Sequence, residues 1–154
     1  MPVATHANRL ITQRLTIQTS TAPQFVDLTD RVQQIVDASS IHSGQVVVFS
    51  QHTTASIRIN ENEPELLRDF VSFLERVAPS DARYYHNDFT VRTVNMTDDE
   101  CANAHAHCRQ LLMSASETIP LVDGELCLGT WQRIFLVELD HARARSVIVQ
   151  VLGE

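Results

Sequence analysis

Residues 44–60 read GQVVVFSQHTTASIRIN and hold two strand signals of different kinds in tandem. Val46 to Phe49 is an unbroken apolar run, the pattern of a strand covered on both faces. Ala55, Ile57 and Ile59 alternate with Ser56, Arg58 and Asn60, the period of a half-buried strand. The four polar residues Gln51 to Thr54 join them. Outward from this pair, Ile11, Leu15 and Ile17 alternate with polar residues between Leu10 and Ile17, with Gln13 the one mismatch, and predict an N-terminal strand. Thr29 offers a helix N-cap ahead of Val32, Ile35 and Val36, and Ser39 and Ser40 close that helix. Asn62 then caps a second helix beginning at Glu63–Pro64–Glu65, whose buried stripe is Leu66, Leu67, Phe70, Phe73, Leu74 and Val77 and which Pro79 stops.

An irregular stretch follows from Ser80 to Met96. Thr97 and Glu100 form a capping box for a third helix reaching Met113. Ile119 to Val122, the Asp123–Gly124 turn, Leu126 to Leu139 and Ser146 to Leu152 read as a closing antiparallel meander. Strands at both ends with about three helices between them predict the α+β class, and the 154 residues form a single domain without repeat or linker.

Composition excludes several functions. All 12 basic residues are arginine, so lysine Schiff-base chemistry, pyridoxal phosphate attachment and a phosphate-loop lysine are ruled out. Four scattered glycines build no GxGxxG or Walker turn, so no nucleotide cofactor is expected. A net charge of −7 repels nucleic acid and anionic lipid. Three cysteines with no CxxC pair read as reduced thiols. With a polar Met1–Asn8 stretch and no membrane-length apolar run, they place the chain as a soluble cytoplasmic protein.

Seven histidines carry the chemical interest. His6, His42 and His141 stand in terminal, loop and turn positions and are assigned to the surface. His52 stands between the two central strands, amid Thr53, Thr54 and Ser56, with Asn60 and Asn62 at the far strand end. On the third helix Asp99, Asn103 and His107 share a polar face, while Ala104, Cys108, Leu111 and Leu112 share an apolar one that points to the core. His105 is two residues from His107 and points elsewhere; it reads as a solvated helix histidine. His86 follows Tyr84 and Tyr85 in the irregular stretch. Together His52, His86 and His107 supply three imidazoles from different elements, as catalytic acid–base groups or as the three ligands of an open zinc site. Trp131, after Gly129 and Thr130 in an otherwise apolar strand, reads first as a core or subunit-interface residue. Gln132 and Glu138 beside it need polar partners.

The blocks HTTASIRINEN (52–62), YYH (84–86), the helix ending at His107, and IPLVDGELCLGTWQRIFLVE (119–138) resemble the YjbQ family, described as secondary thiamine-phosphate synthases. The resemblance covers about Leu10 to Glu154. It departs from the family at Ser114 and His141, where glycine is usual, and in a longer segment between His86 and Asp98 that offers a flap over a pocket. It implies a compact antiparallel β-sandwich-like sheet core, a homotrimer, and condensation of hydroxymethylpyrimidine diphosphate with thiazole phosphate, releasing pyrophosphate. The substrate partner is thus a phosphorylated small molecule. By position in these motifs, His52, His86 and His107 are the catalytic candidates. Thr54, Ser56, Asn60, Asn62, Asn103, Thr130, Trp131 and Gln132 are the substrate-binding ones. Arg58, Arg83, Arg109 and Arg133 are candidates to meet phosphate, with a divalent zinc or magnesium ion as the cofactor the site would use. A metal-assisted hydrolase and a trimeric metal- or metabolite-binding protein with incidental turnover remain alternative readings.

Overall fold

A computed structural model describes residues 8–154; His6 lies outside them. The order is β1 (Arg9–Gln18), β2 (Gln24–Asp27), α1 (Thr29–Ser39), β3 (Gly44–Ser50), β4 (Ala55–Glu61), α2 (Pro64–Val77), α3 (Ala104–Leu111), β5 (Ser116–Val122), β6 (Glu125–Leu126), β7 (Gln132–Glu138) and β8 (Ala144–Gly153), with one 3₁₀ turn at Tyr85–Asn87. Five strands form one antiparallel sheet in the order β1-β8-β3-β5-β6, and three form a second in the order β2-β7-β4. The α+β class, the sandwiched sheets and the three helices are as the sequence predicts.

The alternation of each strand decides which face is buried. Val46 and Val48 of β3, Ile119 and Leu121 of β5, and Val147, Val149 and Val151 of β8 all point to one side. There they meet Ile57, Ile134 and Leu136 of the smaller sheet, and α1 closes the same core with Val32, Ile35 and Val36. The opposite face of the smaller sheet carries Phe135 and Val137, which pack on Leu74 of α2 and Ala106 of α3. Three layers result, in the order sheet, sheet, helices. Gly44 and Gly153 are paired across β3 and β8. A Cβ on Gly44 would lie 2.0 Å from the carbonyl oxygen of Leu152, so the two backbones approach only because glycine stands there.

Several local expectations change. The run Val46–Phe49 is covered on one face only, since Phe49 is 41% exposed. Strand β2 lacks any apolar alternation long enough to show in sequence; it exists because it pairs with β7. Thr29 is the first helical residue of α1, and its hydroxyl accepts the Ile134 N–H at 2.8 Å. Glu63, not Asn62, caps α2, its carboxylate accepting the N–H groups of Glu65 and Leu66. Of the stripe assigned to α2, Leu74 alone is fully buried, and Phe73 and Val77 stand in solvent.

Helix α3 starts six residues later than the Thr97 capping box predicts. Thr97 and Glu100 do meet, the Thr97 hydroxyl donating to Oε1 of Glu100 at 3.2 Å while Arg92 pairs with the other oxygen, but this closes a turn ahead of the helix; Asn87 from the 3₁₀ turn caps α3 by accepting the Ala104 N–H at 3.0 Å. Of the apolar face expected for it, Ala104 is buried but Cys108, Leu111 and Leu112 are exposed, and Ala106 and Arg109 point inward instead. The Arg109 guanidinium makes this favourable by donating to the Ala78 carbonyl at the end of α2 and pairing with Glu75. Asp123 and Gly124 both have positive φ and form the expected hairpin turn. The following strand is interrupted at 127–131, so Gly129 and Trp131 lie in a turn between β6 and β7.

Candidate functional site

The Gln51–Thr54 connection, the 3₁₀ turn, the start of α3 and the first residues of β8 surround a cavity of about 450 Å³. His52, His86 and His107 all line it, joined by Thr54 and Asn103. Three imidazoles separated by up to 55 positions in the chain therefore face one space.

Each is held differently. Nε2 of His52 accepts the backbone N–H of Ser146 at 2.7 Å. An imidazole nitrogen that accepts carries no proton, so neutral His52 keeps its hydrogen on Nδ1. Burial, and then the charge of Arg145, pushes the His52 pKa down. The His86 and His107 rings meet edge to face with centroids 4.8 Å apart. Burial, followed by His86, also lowers the His107 pKa. Both His52 and His107 are thus biased toward the neutral form, which accepts a proton or binds a metal. The carboxylates that act on His107 are Asp140 and Glu100. Asp99, the partner expected from helical spacing, precedes α3 and shares no face with it.

Beneath the cavity lies a fully buried ion pair. Nε of Arg145 donates to Glu138 at 2.6 Å, and its Nη2 reaches the Thr54 hydroxyl at 3.0 Å. Glu138 also accepts from the Thr19 hydroxyl. Burial by itself would raise the Glu138 carboxyl, but Arg145 and the Asp140 N–H hold it below its ordinary range. Thr54 is thus fixed from below, which orients the loop that carries His52. The partner that Glu138 needed is therefore Arg145.

The arginines at this cavity are Arg92, Arg143 and Arg145. None of the four proposed from sequence is there. Arg109 is a buried brace, Arg133 is clamped by Asp27 and Asp30, Arg58 pairs with Glu117, and Arg83 is exposed elsewhere. The legible signal was Arg145 itself, standing at an inward position of β8 in register with Val147, Val149 and Val151. Arg92 and Asn95 come from the segment between His86 and Asp98, which does form part of the cavity wall.

The remaining candidates are elsewhere. Asn62, Thr130 and Trp131 line a separate cavity of about 370 Å³ with Asp27 and Arg133, at the opposite end of β4. Trp131 is 70% exposed there and is not a core residue. Gln132 is exposed and accepts the Gly129 N–H at 2.8 Å, closing its own turn. Asn60 borders a third, apolar cavity of about 480 Å³ beside Phe70 and Phe73. Ser56 is buried and its hydroxyl has no partner among the described residues. The sequence candidates therefore divide between the two ends of the β4–β7 ladder, with the histidines, Thr54 and Asn103 at one end.

Among the described residues, the set of three ligand-type side chains whose donor atoms lie within 4.8 Å of one another is Cys101, Asp140 and His141. His52, His86 and His107 do not form such a set. His105 is half-buried, and its Nδ1 is without a partner among the described residues. No helix among the described residues is long and apolar enough to cross a membrane.

Comparison with known proteins agrees with this architecture. The family described as UPF0047 protein YjbQ-like matches residues 13–154. A UPF0047 protein of Methanothermobacter thermautotrophicus is 41% identical over 143 residues, 93% of this chain and 92% of its own length. YugU of Bacillus subtilis, also a UPF0047 protein, is 29% identical over 90% of this chain and 97% of its own. A crystal structure of a YbjQ-like protein of unknown function from Sulfolobus solfataricus P2 superposes with a TM-score of 0.86 at 34% identity, covering 96% of this chain and all (100%) of that one. A hypothetical protein from Aeropyrum pernix K1 gives a TM-score of 0.83 at 36% identity, covering 94% of this chain and 99% of that one. With the match running from the first strand to the last residue, the chain belongs to the UPF0047, YjbQ-like family.

Proposed function

We propose that the histidine-lined cavity is the active centre of a small-molecule transferase with secondary thiamine-phosphate synthase activity. The observation that carries this reading is the convergence of His52, His86 and His107 with Arg92 and Arg143 on one cavity. Its volume, about 450 Å³, is in the range of small-molecule sites. In the reaction the thiazole nitrogen attacks the methylene carbon of the pyrimidine diphosphate, the C–O bond breaks, and pyrophosphate leaves with the electron pair. Charge develops on the departing oxygens, so positioned cations are the main requirement. Arg143, whose side chain is 41% exposed, is placed to turn toward such a group. His107, held toward its neutral form, serves as the acid–base group, and His52 presents Nδ1–H as a donor.

A divalent cation, zinc or magnesium, belongs to the same reading, with the His86–His107 pair offering two nitrogen donors. That pair also supports metal-assisted hydrolysis of a phosphorylated compound as a second reading. A homotrimer is part of the proposal too, supported by apolar side chains left in solvent at Phe73, Val77, Leu111 and Leu112.

The test is formation of thiamine phosphate by the purified chain from both substrates, with and without a chelator. Turnover clearly above the uncatalysed rate upholds the proposal, and loss of it on chelation adds the metal. Binding without turnover under all metal conditions overturns it in favour of a binding protein.

A further inference from the structure

Cys101 lies in the connection ahead of α3, and Asp140 and His141 form the turn between β7 and β8. Their donor atoms make a small triangle: Sγ to Oδ1 of Asp140 is 3.8 Å, Sγ to Nδ1 of His141 is 3.9 Å, and Nδ1 to Oδ1 is 3.0 Å. A tetrahedral zinc ion, with bonds of about 2.3 Å to sulfur and about 2.0–2.1 Å to nitrogen and oxygen, places its ligands roughly 3.3–3.6 Å apart. A shift of a few tenths of an ångström converts one triangle into the other. We propose that Cys101, Asp140 and His141 bind a zinc-type transition metal, with ligands distinct from the three imidazoles although Asn103 and Arg143 border both places.

One cation is already near these donors: Nη2 of Arg143 lies 3.2 Å from Nδ1 of His141 and 3.6 Å from Oδ2 of Asp140, and a metal would take its place. The Asp140 side chain is 3% exposed, and its second oxygen is held by Nδ2 of Asn103 at 3.1 Å, which leaves Oδ1 directed at Cys101 and His141. Such an outer partner is what fixes a metal-binding carboxylate. The amide oxygen of Asn103 is buried and unpartnered among the described residues, an acceptor that a metal-bound water beside Asp140 would satisfy. One thiolate, one imidazole and one carboxylate suit zinc or cobalt(II) and not magnesium or calcium, which take oxygen ligands. With three protein ligands and a half-exposed His141, the fourth position is open to solvent.

The same residue types in another arrangement would suggest a nucleophilic thiol. That arrangement needs one imidazole nitrogen facing sulfur and the other facing the carboxylate. Here Nδ1 faces both, so the three donors converge on a point and do not form a relay. Metal-free, Arg143 donates to Nε2 of His141 at 3.0 Å. When the metal takes Nδ1, Nε2 carries the hydrogen, so Arg143 must give up its contact with that ring.

The test is titration of the full chain with cobalt(II), in a C108S/C127S background that removes the two exposed thiols. The proposal predicts one ion per chain, a thiolate-to-cobalt charge-transfer band in the near ultraviolet and intense visible bands of a tetrahedral site. Zinc should displace it, and magnesium should not. Cys101→Ser should abolish the charge-transfer band, and Cys101→Ser or His141→Ala should weaken binding by about 100-fold or more. Absence of the charge-transfer band in the parent chain, which needs no variant to fold, overturns the proposal. So does binding that survives Cys101→Ser and is lost only with His86→Ala or His107→Ala. Neither outcome depends on turnover.

Discussion

Nε2 of His52 accepts the backbone N–H of Ser146 at 2.7 Å, tying the loop between β3 and β4 to the first residues of β8. His52 therefore has a structural duty at one nitrogen and a free donor at the other. Its replacement by Ala leaves a half-buried N–H unpaired. His52→Ala should lower unfolding stability by about 1–2 kcal/mol, read from urea unfolding at unchanged m. No change would mean that the Ser146 N–H is satisfied by water and that His52 is free to act elsewhere.

Glu138 and Arg145 are 0% and 2% exposed and lean on one another. Removing one partner strands a buried charge. Glu138→Ala should cost about 3–5 kcal/mol, whereas a Glu138→Leu/Arg145→Leu double variant should recover much of that loss. Chemical denaturation of the three proteins decides it, and a double variant as unstable as the single one would contradict the account.

Histidine protonation sets the acid limit of stability. His52, His105 and His107 all have folded-state pKa values pushed below the ordinary 6.5, chiefly by burial. The unfolded chain then binds more protons than the folded one just below that value, so stability rises with pH through this window. The contribution is complete above 6.5 and is lost as pH falls through the folded-state values. Glu138 and Asp140 are lowered from 4.5 and 3.8, so their contribution persists until lower pH. Between about pH 6.5 and 4.5 the fall in Tm should thus follow the histidines, and His107→Ala should flatten it. A Tm flat across that range would count against the burial of these rings.

Phe73, 53% exposed, and Leu111, 81% exposed, leave apolar surface on the helical layer that a lone chain does not cover. Light scattering should give a mass three times the 17.3 kDa of one chain. A monomer at micromolar concentration would contradict the trimer.

The sheets were largely legible because their alternation is a local property: β1, β4, β5 and β8 follow from which residues point inward. What escaped was set by distant partners. Strand β2 exists through β7, α3 begins where Asn87 rather than Thr97 caps it, and the outer face of β3 is bare because no second layer covers it. The three histidines were identifiable by residue type and position, whereas the Asn62–Trp131 group lines a different cavity of the same chain. Sequence order places HTTASIRINEN in one block, while the strand within it carries its two ends to different cavities. Likewise, Cys101 and His141 gain meaning only when the turn after β7 meets the segment before α3.

The most direct test of the central claim is the steady-state rate of thiamine-phosphate formation by His107→Ala beside the parent chain, with far-ultraviolet circular dichroism and Tm confirming that the variant is folded. The account predicts a loss of kcat of about 100-fold or more, the size expected when a positioned acid–base group is removed. A folded variant that turns over like the parent would contradict it and move the reaction away from the histidine cavity.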